Sequence, residues 1–441
     1  MVAFSFNRRE TVVLAAILLA AFIVRLLLFS TDGCVGDMDA YVYWFSTAAE
    51  HGIRPFYDAA GWCDYPPFNV YVFWVFGSLA NAVSAWGIHA YSVVKLAPTV
   101  FDLATVALVY VFLKKYLTPK QSVLGTALYA FNPAIILNVA VWGQFDALYT
   151  FFLVLSLMLA LRSKPQYSAV AFALAILTKP QAIALAPLLI YLIFRKNGLK
   201  NLLYSVIAFV ATIFVVILPL QWSNPFDFLK GIYFGALSGY QYNSVNAFNF
   251  WGLFGMWLPD GMFFYVGWAI FGVFAALSLY VLNKKTGMLD KWDFIAIYVA
   301  FMLFFAFFMW PTRIHERYLY PAIAMLALIF PILKKTRVLY AALTATFFVN
   351  LAYVLYWLNY SAYNNTGNPN LSGDPVVLVV GIANLVIFAY ATLLLISELR
   401  TKNGSYLLPS SRLKAEENET KEKVNIADNS WLQELERNHR L

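Results

Sequence analysis

Apolar stretches long enough to cross a bilayer, punctuated by short polar turns, run through almost the whole chain. A helix needs about 20 apolar residues to span the hydrocarbon core. Several runs reach or approach that length, the first over residues 11–29. That run is too long for a signal-peptide core and lacks a small-residue cleavage site, so it reads as a retained span. Lys and Arg gather in Arg8-Arg9, Lys114-Lys115 with Lys120, Arg162 with Lys164, Arg195-Lys196, Lys284-Lys285, Lys334-Lys335 with Arg337, and Arg400 with Lys402. Basic clusters flanking apolar runs stay on the cytoplasmic side. Residues 31–94, 142–146, 179–181, 221–249, 311–318 and 359–374 then fall outside. The pattern predicts an all-α polytopic membrane protein with about twelve transmembrane helices and both termini inside. Residues 68–84 are apolar enough to span, yet a crossing there would invert every later basic cluster. They are expected to form a re-entrant or interfacial helix within the first external loop, 31–94, with a thirteenth span as the alternative.

Composition agrees with this pattern. Of 441 residues, 61% are hydrophobic, 18% aromatic and only 12% charged. Residues 1–400 read as one transmembrane catalytic domain and 401–441 as a polar cytoplasmic tail, too small for separate chemistry. The net charge of +8 does not signal nucleic acid, because most of the cations sit in the membrane-anchoring clusters just named. The only two cysteines, Cys34 and Cys63, both fall in the first external loop, where an oxidising compartment permits a disulfide. A bridge there is expected over two free thiols. It would close a loop of about 30 residues and contribute ~3 kcal/mol.

Ionisable side chains are expensive at membrane depth and usually functional there. Here they gather at the predicted external ends of spans. The first loop carries Gly36-Asp37-Met38-Asp39-Ala40-Tyr41, then Tyr43 and Trp44, and ends in Asp64-Tyr65-Pro66-Pro67. Later connectors carry Trp142-Gly143-Gln144-Phe145-Asp146, Lys179-Pro180-Gln181, Asn246 with Asn249, and Arg313-Ile314-His315-Glu316-Arg317-Tyr318. That is the layout of a cavity open to the outer leaflet. A carboxylate at its mouth can take a proton from a sugar hydroxyl, and a group of Arg and His donors suits a lipid-linked phosphate. Each element also has a structural reading. Asp37 and Asp39 could be solvated loop charges, Asp64 could precede a proline-started helix, and Gln144 and Asp146 could cap the next helix. Lys179 could be an ordinary turn lysine, Asn246 and Asn249 could satisfy loop backbone, and Glu316 could form a salt-bridged cap.

Taken in order, these motifs resemble polytopic glycosyltransferases of the GT-C superfamily, over residues 36 to about 318. The similarity is to prokaryotic proteins related to the GPI-anchor mannosyltransferases and, more distantly, to the dolichyl-phosphate-glucose-dependent glucosyltransferases of N-glycan assembly. Lys-Pro-Gln and His-Glu-Arg-Tyr follow the prokaryotic wording. The resemblance implies a GT-C fold and an inverting transfer of a hexose, mannose before glucose. The donor would be a polyprenyl- or dolichyl-phosphate sugar in the membrane lipid, and the acceptor a lipid-linked or cell-surface glycan or a glycolipid. It places Asp37 at the position of the first-loop catalytic base. No metal is implied as essential, although Asp37-Met38-Asp39 also reads as an Asp-X-Asp metal pattern. On this reading Asp39, Asp64, Tyr65, Gln144 and Asp146 are supporting acids or acceptor-binding groups. Lys179, Gln181, Arg313, His315 and Arg317 bind the donor phosphate, and Tyr41, Trp44, Asn246, Asn249 and Glu316 are candidates for sugar contact. The membrane is expected to be a prokaryotic plasma membrane with the site outside, or the endoplasmic reticulum in a eukaryote.

The rival class is a transporter or lipid flippase. Transporters place polar groups at the bilayer midplane on broken helices within repeated halves. The chain has no clear internal repeat, and its polar groups gather at one predicted face.

Overall fold

A computed structural model describes residues 8–285, 292–367, 369–401 and 407. The expected tail, 401–441, lies outside the described residues except for Thr401 and Leu407. Among the described residues the fold is all-α, with only isolated bridges between extended residues. In chain order the helices are α1 (Arg8–Leu28), α2 (Val35–His51), α3 (Phe56–Ala60), α4 (Phe68–Val83), α5 (Ala90–Lys114), α6 (Pro119–Ala130), α7 (Pro133–Ile136) and α8 (Asp146–Leu161). They continue with α9 (Pro165–Ile176), α10 (Ala186–Ile217), α11 (Pro225–Gly239), α12 (Phe263–Lys284), α13 (Trp292–Met309), α14 (Tyr320–Ile329), α15 (Thr336–Asn364) and α16 (Pro375–Ser397). Pro119, Pro133, Pro165, Pro225 and Pro375 each occupy a first helical turn, where the missing N–H is no loss and the fixed φ fits. Thr118 and Gln121 add a capping box to α6.

The helix ends sort into two sets. Lys114 pairs with Glu10 at 2.7 Å, Lys196 with Asp293 at 3.0 Å and Lys285 with Glu398 at 3.7 Å, which gathers the basic clusters at one end of the bundle. The polar motifs meet at the other end. Through these ties the chain passes between the ends on α1, α5, α6 with α7, α8, α9, both arms of α10, α12, α13, α14, α15 and α16. Gly198, at φ 79°, splits α10, and Lys196 at the break is tied to the C-terminal carbonyl of α8, at Leu161. By length and hydropathy alone, eight helices among the described residues could cross a membrane, or nine counting the bent α6–α7 pair. That test counts α10 once, passes over the shorter α8, α9 and α14, and admits α4, which accounts for its distance from the expected twelve.

The α4 helix stays at the polar end. The backbone N–H of Phe68 donates to the Leu177 carbonyl at 2.9 Å, and Asn69 Nδ2 donates to the Thr178 carbonyl at 2.8 Å. After its C-terminus, α5 begins at the same end, where Lys95 donates to Thr31 beyond α1. Between these anchors α4 lies along α2, so closely that a Cβ on Gly77 would fall 2.1 Å from the Phe45 carbonyl oxygen. Its aromatic face packs Phe73 against Trp44, Phe45, Tyr65 and Phe145.

The bundle centre is α13 and α14, apolar on all sides and almost wholly buried, as such helices must be. One polar knot lies beside them. Arg25 Nε donates to Asp102 Oδ2 at 2.7 Å, while its other nitrogens donate to the carbonyls of Ala21 and Ala130. Tyr129 and Tyr320 donate to Asp102 Oδ1 at 3.3 and 3.1 Å. The knot joins α1, α5, α6 and α14, and the sequence reading did not anticipate it.

The expected disulfide is absent: Cys34 and Cys63 are both free thiols. Cys34 precedes α2 and packs in the transmembrane core, whereas Cys63 lies against the first-loop aromatic cluster. Sharing a loop did not bring them together, because the loop folds into separate packing units.

Candidate active site

Asp37 sits in the first turn of α2 and is half-buried. Its partners come from the stretch after α7, where residues Leu137–Trp142 form a π-helical turn and Gly143 follows at φ 87°. Such wide turns re-aim side chains and often mark functional sites. Gly143 must be glycine, since its φ is left-handed and a Cβ there would meet Met38 Sδ at 2.5 Å. The geometry turns two donors onto one carboxylate oxygen: Trp142 Nε1 donates to Asp37 Oδ2 at 2.8 Å and Gln144 Nε2 at 2.6 Å. Among the described residues Oδ1 receives no hydrogen bond. From Gln144 the network runs on, with Tyr41 donating to Gln144 Oε1 at 3.1 Å and the Tyr41 and Tyr65 hydroxyls 2.6 Å apart.

Tyr65 opens onto a cavity of about 390 Å³. Its lining is mixed: Asp64, Lys179, Gln181, His315 and Arg317 contribute polar groups, and Ile183, Phe234, Phe264, Trp268 and Phe307 contribute apolar ones. Asp37 is not in the lining, but its charge reaches Asp64, Glu316 and Arg317. Lys179 donates to Asp146 Oδ1 at 2.9 Å, and Asn138 donates to Asp146 Oδ2 at 3.2 Å. Burial pulls the Lys179 ammonium below the usual lysine value, and Asp146 opposes it. Arg317 Nη1 donates to Glu316 Oε1 at 2.6 Å, while its Nε is buried without a partner. Burial raises the Glu316 and Asp64 carboxyls above the ordinary acid range, with Arg317 opposing in both cases. Burial, reinforced by the Arg317 and Lys179 charges, holds His315 well below the ordinary imidazole value, so its ring is neutral at pH 7.

The structure brings Asp64, Tyr65, Lys179, Gln181, His315 and Arg317 together around the cavity, with Gln144 as the bridge to Asp37. It uses other expected residues differently. Asp39, two positions from Asp37 and therefore on another face of α2, is exposed and accepts from Tyr91. The two carboxylates of the Asp-X-Asp pattern therefore do not share a ligand position, and no group of three or more metal-ligating residues occurs among the described residues. Asp146 accepts from Asn138 and Lys179, one on each oxygen, and does not line the cavity. Trp44 is buried and donates to the Trp62 carbonyl at 2.9 Å; Tyr41 is buried beside it. Neither lines the cavity. Asn246 accepts from Trp257 Nε1, and Asn249 bonds the Phe308 carbonyl and the Gly252 amide; both pin the loop. Glu316 is buried behind Arg317 and does not line the cavity.

Arg313 is already paired within the protein. It lines the cavity, but its Nε and Nη2 donate to the two oxygens of Asp260 at 2.7 and 3.3 Å, and its guanidinium stacks 4.3 Å above Phe264. Asp260 also accepts from Thr312 Oγ1 at 2.8 Å. Sequence reasoning overlooked Asp260. The available signal was an unassigned acid between the expected external connector 221–249 and the basic cluster at Lys284-Lys285. Trp142 was within a quoted motif, but only the fold shows that its indole grips Asp37.

The chain matches the model of glycosyltransferase family 87 over residues 62–311, more than half its length, from just before Asp64 to the cavity wall at Pro311. A search of curated proteins found no match.

Proposed function

The chain belongs to glycosyltransferase family 87, and from that premise we propose that it moves a hexose, with inversion, from a polyprenyl- or dolichyl-phosphate donor to a glycan or glycolipid hydroxyl. Mannose is the preferred sugar on the motif resemblance, and glucose the next. The observation that carries this reading is the mixed lining of the cavity, which takes in Arg317 together with aromatic and aliphatic side chains. A phosphate on a prenyl chain needs both surfaces at once. The basic helix ends lie at the opposite end of the bundle, which favours a cavity facing out of a prokaryotic plasma membrane.

The chemistry follows from the groups in place. Asp37 Oδ1 takes the proton of the acceptor hydroxyl as its oxygen attacks the anomeric carbon from the face opposite the phosphate. The bond between that carbon and the phosphate oxygen breaks, and its electron pair leaves with the phosphate. Arg317 offsets the charge that grows there, and His315 contributes as a neutral ring at the same wall. Trp142 and Gln144 fix the carboxylate so that Oδ1 faces the acceptor. Phosphate is a weak base and needs little protonation, so one base suffices.

The test is incubation of the purified protein with radiolabelled polyprenyl-phosphate sugars, with and without chelator. Transfer from a polyprenyl-phosphate hexose is the expected result. Transfer only from nucleotide sugars, or from no sugar donor at all, would overturn the reading.

A further inference from the structure

The cavity's polar groups differ in what they have left to offer. Lys179 is committed to Asp146 and Arg313 to Asp260. Gln181 donates its amide to the Tyr318 hydroxyl, while its Oε1 is buried without a partner. Asp64 makes no ion pair or side-chain hydrogen bond with any described residue, and its Oδ1 is also buried and unpartnered. Arg317 has Nη1 on Glu316 and no partner on Nε. The buried atoms left without a partner on these lining residues are therefore two acceptors, Asp64 Oδ1 and Gln181 Oε1, and one cationic donor, Arg317 Nε. Buried polar groups are usually completed by a partner, and these three belong to residues that line the cavity, where a ligand can supply it.

The two acceptors cannot receive a phosphate, whose oxygens would repel them. They need hydroxyl donors. Resting on the donor reading above, we propose that Asp64 and Gln181 bind hydroxyls of the donor's sugar ring while Arg317, with the His315 ring, takes the phosphate. This departs from the expectation that Gln181 belongs to the phosphate site and Asp64 to the acceptor. It also orders the cavity. Asp64 directly precedes Tyr65, whose hydroxyl leads through Tyr41 and Gln144 to Asp37. A sugar held at Asp64 thus lies between the phosphate at Arg317 and the base that delivers the acceptor. Asp64 and Gln181 become the residues that discriminate one hexose from another.

A cycle of donors and variants tests this. The donors are polyprenyl-phosphate hexose and its monodeoxy analogues, and the variants are Asp64→Ala and Gln181→Leu. In the wild type, at least one deoxy donor should lose about 10- to 100-fold in kcat/KM, the usual worth of a hydrogen bond to a charged group. In Asp64→Ala the penalty for that same analogue should shrink to about 2-fold or less. Affinity for polyprenyl phosphate lacking the sugar should hold in both variants and fall in Arg317→Ala. An unchanged deoxy pattern in Asp64→Ala and Gln181→Leu overturns the inference alone. So does loss of sugar-free lipid binding in Asp64→Ala matching that in Arg317→Ala. If the wild type itself neither binds polyprenyl phosphate nor uses its sugars, the donor reading falls first and takes this inference with it.

Discussion

Arg25 and Arg317 are both arginines beside a carboxylate inside one bundle, yet their surroundings are opposite in kind. Every nitrogen of the Arg25 guanidinium has an acceptor, and both oxygens of Asp102 have donors. Arg317 has a buried nitrogen with no partner, and Asp64 in the same cavity has a buried oxygen with none. A completed buried network fixes helices relative to one another, and removing one member strands the rest. An incomplete one, bordering open space, is a place for something else to bind. Burial and charge alone would not separate these two arginines; the inventory of partners does.

The sharpest break of this comparison is at Asp37. Asp37→Asn should lower kcat about 10²- to 10⁴-fold, the usual worth of general-base assistance, and leave thermal unfolding of the purified protein unchanged. The second break runs the other way. Arg25→Met strands Asp102 in the core and should remove about 3–5 kcal/mol of stability, seen as a lower unfolding temperature, with the donor KM of surviving enzyme unaltered. A donor defect there would erase the distinction. Arg317→Ala should raise donor KM about 10- to 100-fold in a transfer assay. Arg313→Lys sharpens that result, because Arg313 is already paired. It should move donor KM less than about 3-fold and stability by ~1 kcal/mol.

The smallest effect concerns pH. His315 has a depressed value in the fold, so the unfolded chain binds its proton first as pH falls. Its contribution to stability is complete above the free-imidazole pKa of about 6.5 and declines below it. Asp64 and Glu316 are shifted upward by burial and act in the opposite sense, gaining stability as they protonate in acid. Unfolding temperatures from pH 7 to 5 should therefore fall less steeply in His315→Asn than in the wild type. An identical slope would exclude a buried neutral histidine.

Some of the site was already legible along the chain. The motifs do gather at one end of the bundle, because apolar run length and cation position are local properties that fix which helix ends meet. The divergence of Asp37 and Asp39 is legible only once the segment is known to be helical, since residues two apart on a helix face different ways. Arg313, Asn246 and Asn249 were beyond reach. Their chemistry suits a ligand, and nothing local reveals that Asp260, Trp257 or the Phe308 carbonyl has claimed them.

Sequence by itself determined the class of molecule, the all-α bundle and the end at which its chemistry collects, since each follows from hydrophobic length and charge read locally. Tertiary structure alone decided which polar groups are spent and which remain available. Trp142 reaches Asp37 across 105 positions and Arg25 reaches Asp102 across 77. Hydrogen-bond capacity is finite, and it is allotted among neighbours that only folding brings together.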